Sequence, residues 1–157
     1  YSSRYAMIFC FFLACFGNRH IRKVQSLAAS EDIEALSEIL LSSSQSYLRE
    51  EAIRSMSHIS ASSWTTQSRI GAIECVASEK EHCSTRGYCA QALGVIQAVE
   101  AVDTIVSAMD QCDSESRYWM LLGLEPLAVE SSLAETQIAA LENDVDIFIR
   151  TRARNWR

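Results

Sequence analysis

A chain of 157 residues with five Gly and one Pro is long enough for one domain with its own core and offers few places for tight turns. Its composition therefore points to helices and against a turn-rich β fold. All 20 acidic residues lie between positions 31 and 149, against six basic ones, whereas residues 1–30 and 150–157 carry bases and no acid. Such a body repels phosphate backbones, which argues against nucleic acid as a partner of the central surface.

In chain order the first feature is apolar: every residue from Ala6 to Phe16 lacks a polar side chain. As a helix this run is about 16 Å long, half the hydrocarbon core of a bilayer, so no membrane span is expected. Arg4 precedes it, and Phe12-Leu13-Ala14-Cys15 loosely resembles a lipoprotein cleavage box, although Leu before Ala fits poorly. A structural helix and a cytoplasmic protein are the favoured reading, with a lipoprotein or secreted protein as the alternative if residues 4–15 are a signal. A helix apolar all round needs cover on more than one side, so residues 5–16 are a candidate homodimer contact.

Beyond it the chain repeats. Arg49, Arg86, Arg117 and Arg150 each open a helical stretch, 37, 31 and 33 residues apart. The third, fourth, seventh and tenth residues after each Arg are apolar or small in every full copy: Ala52, Ile53, Met56, Ile59; Cys89, Ala90, Leu93, Ile96; Met120, Leu121, Leu124, Leu127. That is one face of a 3.6-residue helix. Other amphipathic stretches alternate with these: Ile33–Leu41, Trp64–Ala77, Val99–Met109 and Ser132–Leu141. With Tyr5–Phe16 and His20–Ala29 as a degenerate first pair, the pattern predicts five helix pairs, about ten helices, in a single domain over residues 1–157. Pro126 is expected to end or kink its helix.

The segment Arg86-Gly87-Tyr88-Cys89-Ala90-Gln91-Ala92-Leu93-Gly94-Val95-Ile96 resembles the second helix of a HEAT repeat, in particular the short HEAT-like repeats of phycobilisome lyases, with Cys89 in place of one Ala. Asp144 stands six residues before Arg150 and Asp110 seven before Arg117, similar to the family's Asp and Arg, whereas Lys80 and Ser43 take the Asp position in the other units and interrupt an Asp–Arg ladder. The resemblance covers residues 31–157. It implies a right-handed α-solenoid whose Arg side chains bind loop carbonyls and a neighbouring Asp, and it says almost nothing of function.

It also implies that the second helix of each pair lines a concave face. Counting from each Arg, the positions off the core face are Glu51, Arg54 and His58, then Tyr88, Gln91 and Val95, then Trp119, Leu122 and Pro126, and Arg152. Glu51, Arg54, His58, Tyr88, Gln91, Trp119 and Leu122 are the candidate groove, with Tyr88 and Trp119 equivalent residues of adjacent units that should lie side by side. Aromatic and Arg side chains dominate interface energies, so the expected partner is a protein or peptide, a basic one suiting the acidic body. The alternative is a bilin lyase or chromophore chaperone holding an open tetrapyrrole in the groove. No glycine-rich phosphate loop or paired-His motif points to catalysis, and no cofactor is expected. Of the six cysteines, Cys75 and Cys89 fall at core positions and are read as small hydrophobes; Cys83 and Cys112 fall in loops and are open to reaction or bridging. No CxxC pair or shared His spacing suggests a zinc site.

Overall fold

The computed structural model describes residues 19–156, and among these every regular element is helical. The helices are α1 (19–29), α2 (Ile33–Ser42), α3 (Ser46–Met56), α4 (Thr66–Ala77), α5 (Cys83–Val95), α6 (Val102–Met109), α7 (Ser114–Leu127), α8 (Ser132–Leu141) and α9 (Ile147–Asn155). The apolar run 5–16, with its dimer and signal readings, lies outside the described residues. None of the described helices is long and apolar enough to cross a membrane.

Local chemistry sets the boundaries. Asp32, Asp113 and Ser131 accept the backbone N–H three residues on, and Asp146 accepts those of Phe148 and Ile149, so the helices start where short acceptors meet orphan donors. Thr65 and Ser68 form a reciprocal capping box, which moves the start of α4 from the expected Trp64 to Thr66 and leaves Trp64 as a buried residue ahead of it. Val99–Ala101 is a 3₁₀ turn leading into α6. Pro126 sits one residue before the end of α7, and the helix runs only to Leu127 beyond it.

Consecutive helices pair as α2 with α3, α4 with α5, α6 with α7 and α8 with α9. Each even helix also packs on the next even one, and α3, α5, α7 and α9 do the same, giving two rows of helices with the core between them. All twelve positions expected on the core face are at most 6% exposed, ten of them within α3, α5 and α7, with Ile59 and Ile96 in the turns just past α3 and α5. The tightest crossing is α5 on α7. A Cβ on Gly94 would run into the carbonyl of Gly123, and one on Gly123 into the carbonyl of Ala90, so the two backbones touch only because both residues are glycine.

Candidate functional site

The odd-numbered row presents its helix starts along one edge, and the four repeat arginines tie them together. Arg49 donates to the carbonyl of Ser43 in its own loop and, from Nε and Nη2, to both carboxylate oxygens of Glu81 in the next. Arg86 is buried, donating to the carbonyl of Val76 and to Gln111 Oε1 at 2.7 Å each. Arg117 reaches Asp144 Oδ1 at 2.9 Å, and Arg150 donates to the carbonyl of the same Asp144. The interruption expected from Lys80 is absent because the adjacent Glu81 accepts from Arg49, and Gln111 rather than Asp110 accepts from Arg86, whereas Ser43 takes part through its backbone carbonyl. These arginines therefore hold successive loops in register, leaving the second residue after each free to face outward.

Burial works to raise the Glu81 carboxyl, but the hydrogen bonds from Arg49 and from the His82 backbone outweigh it and hold the group below its ordinary value. The Ser116 backbone N–H, with its hydroxyl and Arg117 in support, lowers Asp113 in the same direction. A folded pKa below the unfolded one gives stability that is complete above the unfolded value and is lost as pH falls through the folded one. Thermal melts from pH 7 to pH 3 should therefore show the native chain losing stability below about pH 4.5 more steeply than Glu81→Gln, which at pH 7 should already be weaker by about 1–3 kcal/mol.

Two disulfides lie in the same region. Cys75 on α4 is joined to Cys89 on α5, and Cys83 at the start of α5 to Cys112 before α7. Reading Cys75 and Cys89 as free core thiols is thus corrected: both are buried, but the crossing of α4 and α5 brings their Cα atoms to 6.4 Å, within bonding reach. Arg86 Nη1 lies 3.8 Å from the sulfur of Cys112, so the second bridge and the arginine ladder share a loop.

Along this edge the expected groove residues form one line in part. The Arg54 guanidinium lies 5.2 Å from the Tyr88 ring centre and its Nη1 is 3.7 Å from Glu50. Tyr88 meets Trp119 at 5.2 Å between centroids, tilted by 49°, and Trp119 meets Tyr118 edge-on at 6.4 Å. Three successive odd helices thus contribute to one ladder of cation and rings, each worth about 0.5–1.5 kcal/mol beyond its buried area. Glu51 is half-buried at the equivalent place on α3, and Gln91 and Leu122 are half-buried one turn beyond Tyr88 and Trp119. His58 is not on a helix face: α3 ends at Met56, and His58 is exposed in the turn that follows.

Sequence reasoning missed the far end of the line. There a cleft of about 450 Å³ opens between the first turns of α7 and α9, lined by Ser114, Glu115, Tyr118, Trp119, Asp146 and Phe148. Phe148 is 74% exposed. The available signal was Tyr118-Trp119 and Phe148 two residues before an Arg of the repeat, but the last unit's shortened pattern gave no reason to weigh it. Among the described residues no cluster of three or more His, Cys, Asp or Glu is arranged to hold a metal ion. Compared with protein-family models, with curated proteins and with solved structures, the chain gives no match.

Proposed function

We propose that the chain is a right-handed α-solenoid of about five HEAT-like helix pairs that serves as a protein-interaction module, holding a partner protein or peptide along the line of Arg54, Tyr88 and Trp119. The repeat spacing of the arginines and the two rows of helices support the architecture. One observation carries the binding role: the ladder joins α3, α5 and α7 while its rings stay half-buried and Arg54 exposed, so a partly exposed aromatic line is already ordered before a partner arrives. Preorganised aromatic and Arg side chains bind with little further loss of entropy. The acidic body favours a basic partner and a salt-sensitive rate of association.

The sulfurs bear on the compartment. Disulfides do not persist in a glutathione-reduced cytosol, so the pairs Cys75–Cys89 and Cys83–Cys112 favour the secreted or lipoprotein alternative over a cytoplasmic protein.

The test is selection of binders from a displayed peptide library against the immobilised chain, followed by anisotropy titration. Tyr88→Ala with Trp119→Ala should weaken the selected peptide about 30-fold, the loss of two contacts of at least about 1 kcal/mol each. Undiminished affinity would remove the groove assignment. Titration with an open tetrapyrrole separates this reading from the bilin alternative, since a visible absorption change that saturates would favour the latter.

A further inference from the structure

We infer that the cleft between α7 and α9 is a receptor for an arginine side chain of a partner peptide, an inference that rests on the interaction-module reading above and names the chemistry of its partner. Three aromatic residues, Tyr118, Trp119 and Phe148, line it together with the carboxylates Glu115 and Asp146. The wall is mainly aromatic, ring faces attract a cation through their quadrupole, and the acidic residues in the lining favour the same charge. A guanidinium suits it better than an ammonium, being planar, weakly hydrated and able to stack on rings while it hydrogen-bonds a carboxylate with two donors.

The chain already satisfies the first ring of the ladder in this manner. Arg54 lies over Tyr88 with Glu50 beside it, one guanidinium between a ring and a carboxylate. Arg54 is the fifth residue after its repeat Arg and Tyr88 the second after the next; one unit on, those places fall to Gln91 and Trp119. The chain supplies no arginine of that register to Trp119, and the cleft with its two carboxylates opens on the same ring.

The opposing electrostatics are weaker. Two helix N-termini face the cleft, each equivalent to roughly half a positive charge and so favouring an anion. Against them stand Asp113 and Asp146, the caps of α7 and α9, and Glu115 in the first turn of α7. Asp146 accepts both of its N–H donors at Oδ1, so Oδ2 takes neither. Of the nearby cations, Arg117 is paired with Asp144, Arg150 donates to the Asp144 carbonyl, and Arg152 is bound through two donors by Glu125. The charged side chains that line the cleft itself, Glu115 and Asp146, are both acidic, which favours a cation.

The experiment uses three blocked peptides of one sequence, Gly-Ser-X-Ser-Gly with X as Arg, Lys or citrulline, titrated by NMR with the Trp119 indole N–H as reporter. Citrulline keeps the planar shape of arginine but has a carbonyl oxygen in place of one terminal nitrogen, so it loses the charge together with part of the donor fork. The Arg peptide should shift the indole saturably, Lys more weakly, and citrulline not at all. Phe148→Ala, at an exposed position whose loss leaves the core intact, and Glu115→Gln should each weaken the Arg peptide about fivefold. Equal binding of citrulline, preference for an anionic peptide, or unchanged affinity in both variants would overturn the assignment. A library-selected peptide that loses affinity in Tyr88→Ala with Trp119→Ala but keeps it in Phe148→Ala and Glu115→Gln would leave the groove standing and the arginine cleft refuted; one indifferent to all four changes would refute both.

Discussion

Replacing Gly94 by Ala should lower the melting temperature by about 6–12 °C, the equivalent of roughly 3 kcal/mol in a chain of this size. Helix propensity alone gives the opposite sign, since Ala in a helix interior is worth about 1 kcal/mol over Gly. The contact decides. A Cβ at Gly94 meets the Gly123 backbone, including its Cα at 2.8 Å, and backbone cannot rotate aside as a side chain can. The helices α5 and α7 must move apart, which also separates Tyr88 from Trp119, so the near-UV circular dichroism of that pair should fall with stability. Gly123→Ala should behave alike, its Cβ being aimed at the Ala90 carbonyl. Gly71→Ala is the internal control: its Cβ would meet Ser37 Oγ at 2.9 Å and Leu41 Cδ1 at 3.1 Å, both ends of movable side chains, and the loss there should stay below about 1 kcal/mol. A Gly94→Ala chain that melts at or above the native temperature would contradict the close crossing.

The difference between those glycines shows what sequence could and could not reveal. The core face of α3, α5 and α7 was legible because Arg49, Arg86 and Arg117 fix a register and a 3.6-residue period then places Met56, Leu93 and Leu124 inward, where all are fully buried. The same period placed Tyr88 and Trp119 side by side. Loop geometry has no period. Whether Arg86 takes Asp110 or Gln111 depends on one residue of offset in a turn, and the turn presents Gln111. The distance between two cysteines is likewise a matter of how helices cross. Cys75 and Cys89 read as core hydrophobes because disulfide sulfur and buried thiol occupy the same apolar positions. The cleft escaped notice because two of its walls, Asp146 and Phe148, come from the final repeat, where the motif is shortest and the α8–α9 loop sets their direction.

Reduction of the two disulfides should have the largest effect of all. Cys75–Cys89 closes a loop of 14 residues and Cys83–Cys112 one of 29. By loop-closure entropy these constrain the unfolded chain by about 3 and about 3.5 kcal/mol. Together they approach the whole stability of an ordinary domain, about 5–15 kcal/mol, so excess dithiothreitol should lower the melting temperature by about 10–25 °C. Reduction leaves every sulfur in place, which isolates the cross-link from packing. The two bridges also differ in what they hold. Cys75–Cys89 joins the helices of one pair, whereas Cys83–Cys112 joins one pair to the next through the loop that carries Gln111, the acceptor of Arg86. If Tyr88, two residues from Arg86, holds a peptide as proposed, Cys83→Ser with Cys112→Ser should therefore weaken that binding beyond what its loss of stability explains. Cys75→Ala with Cys89→Ala should lower stability while leaving affinity for the folded protein near its native value. A melting temperature indifferent to reductant would mean that the chain folds without its cross-links, and would restore the cytoplasm as a compartment in which the groove could work.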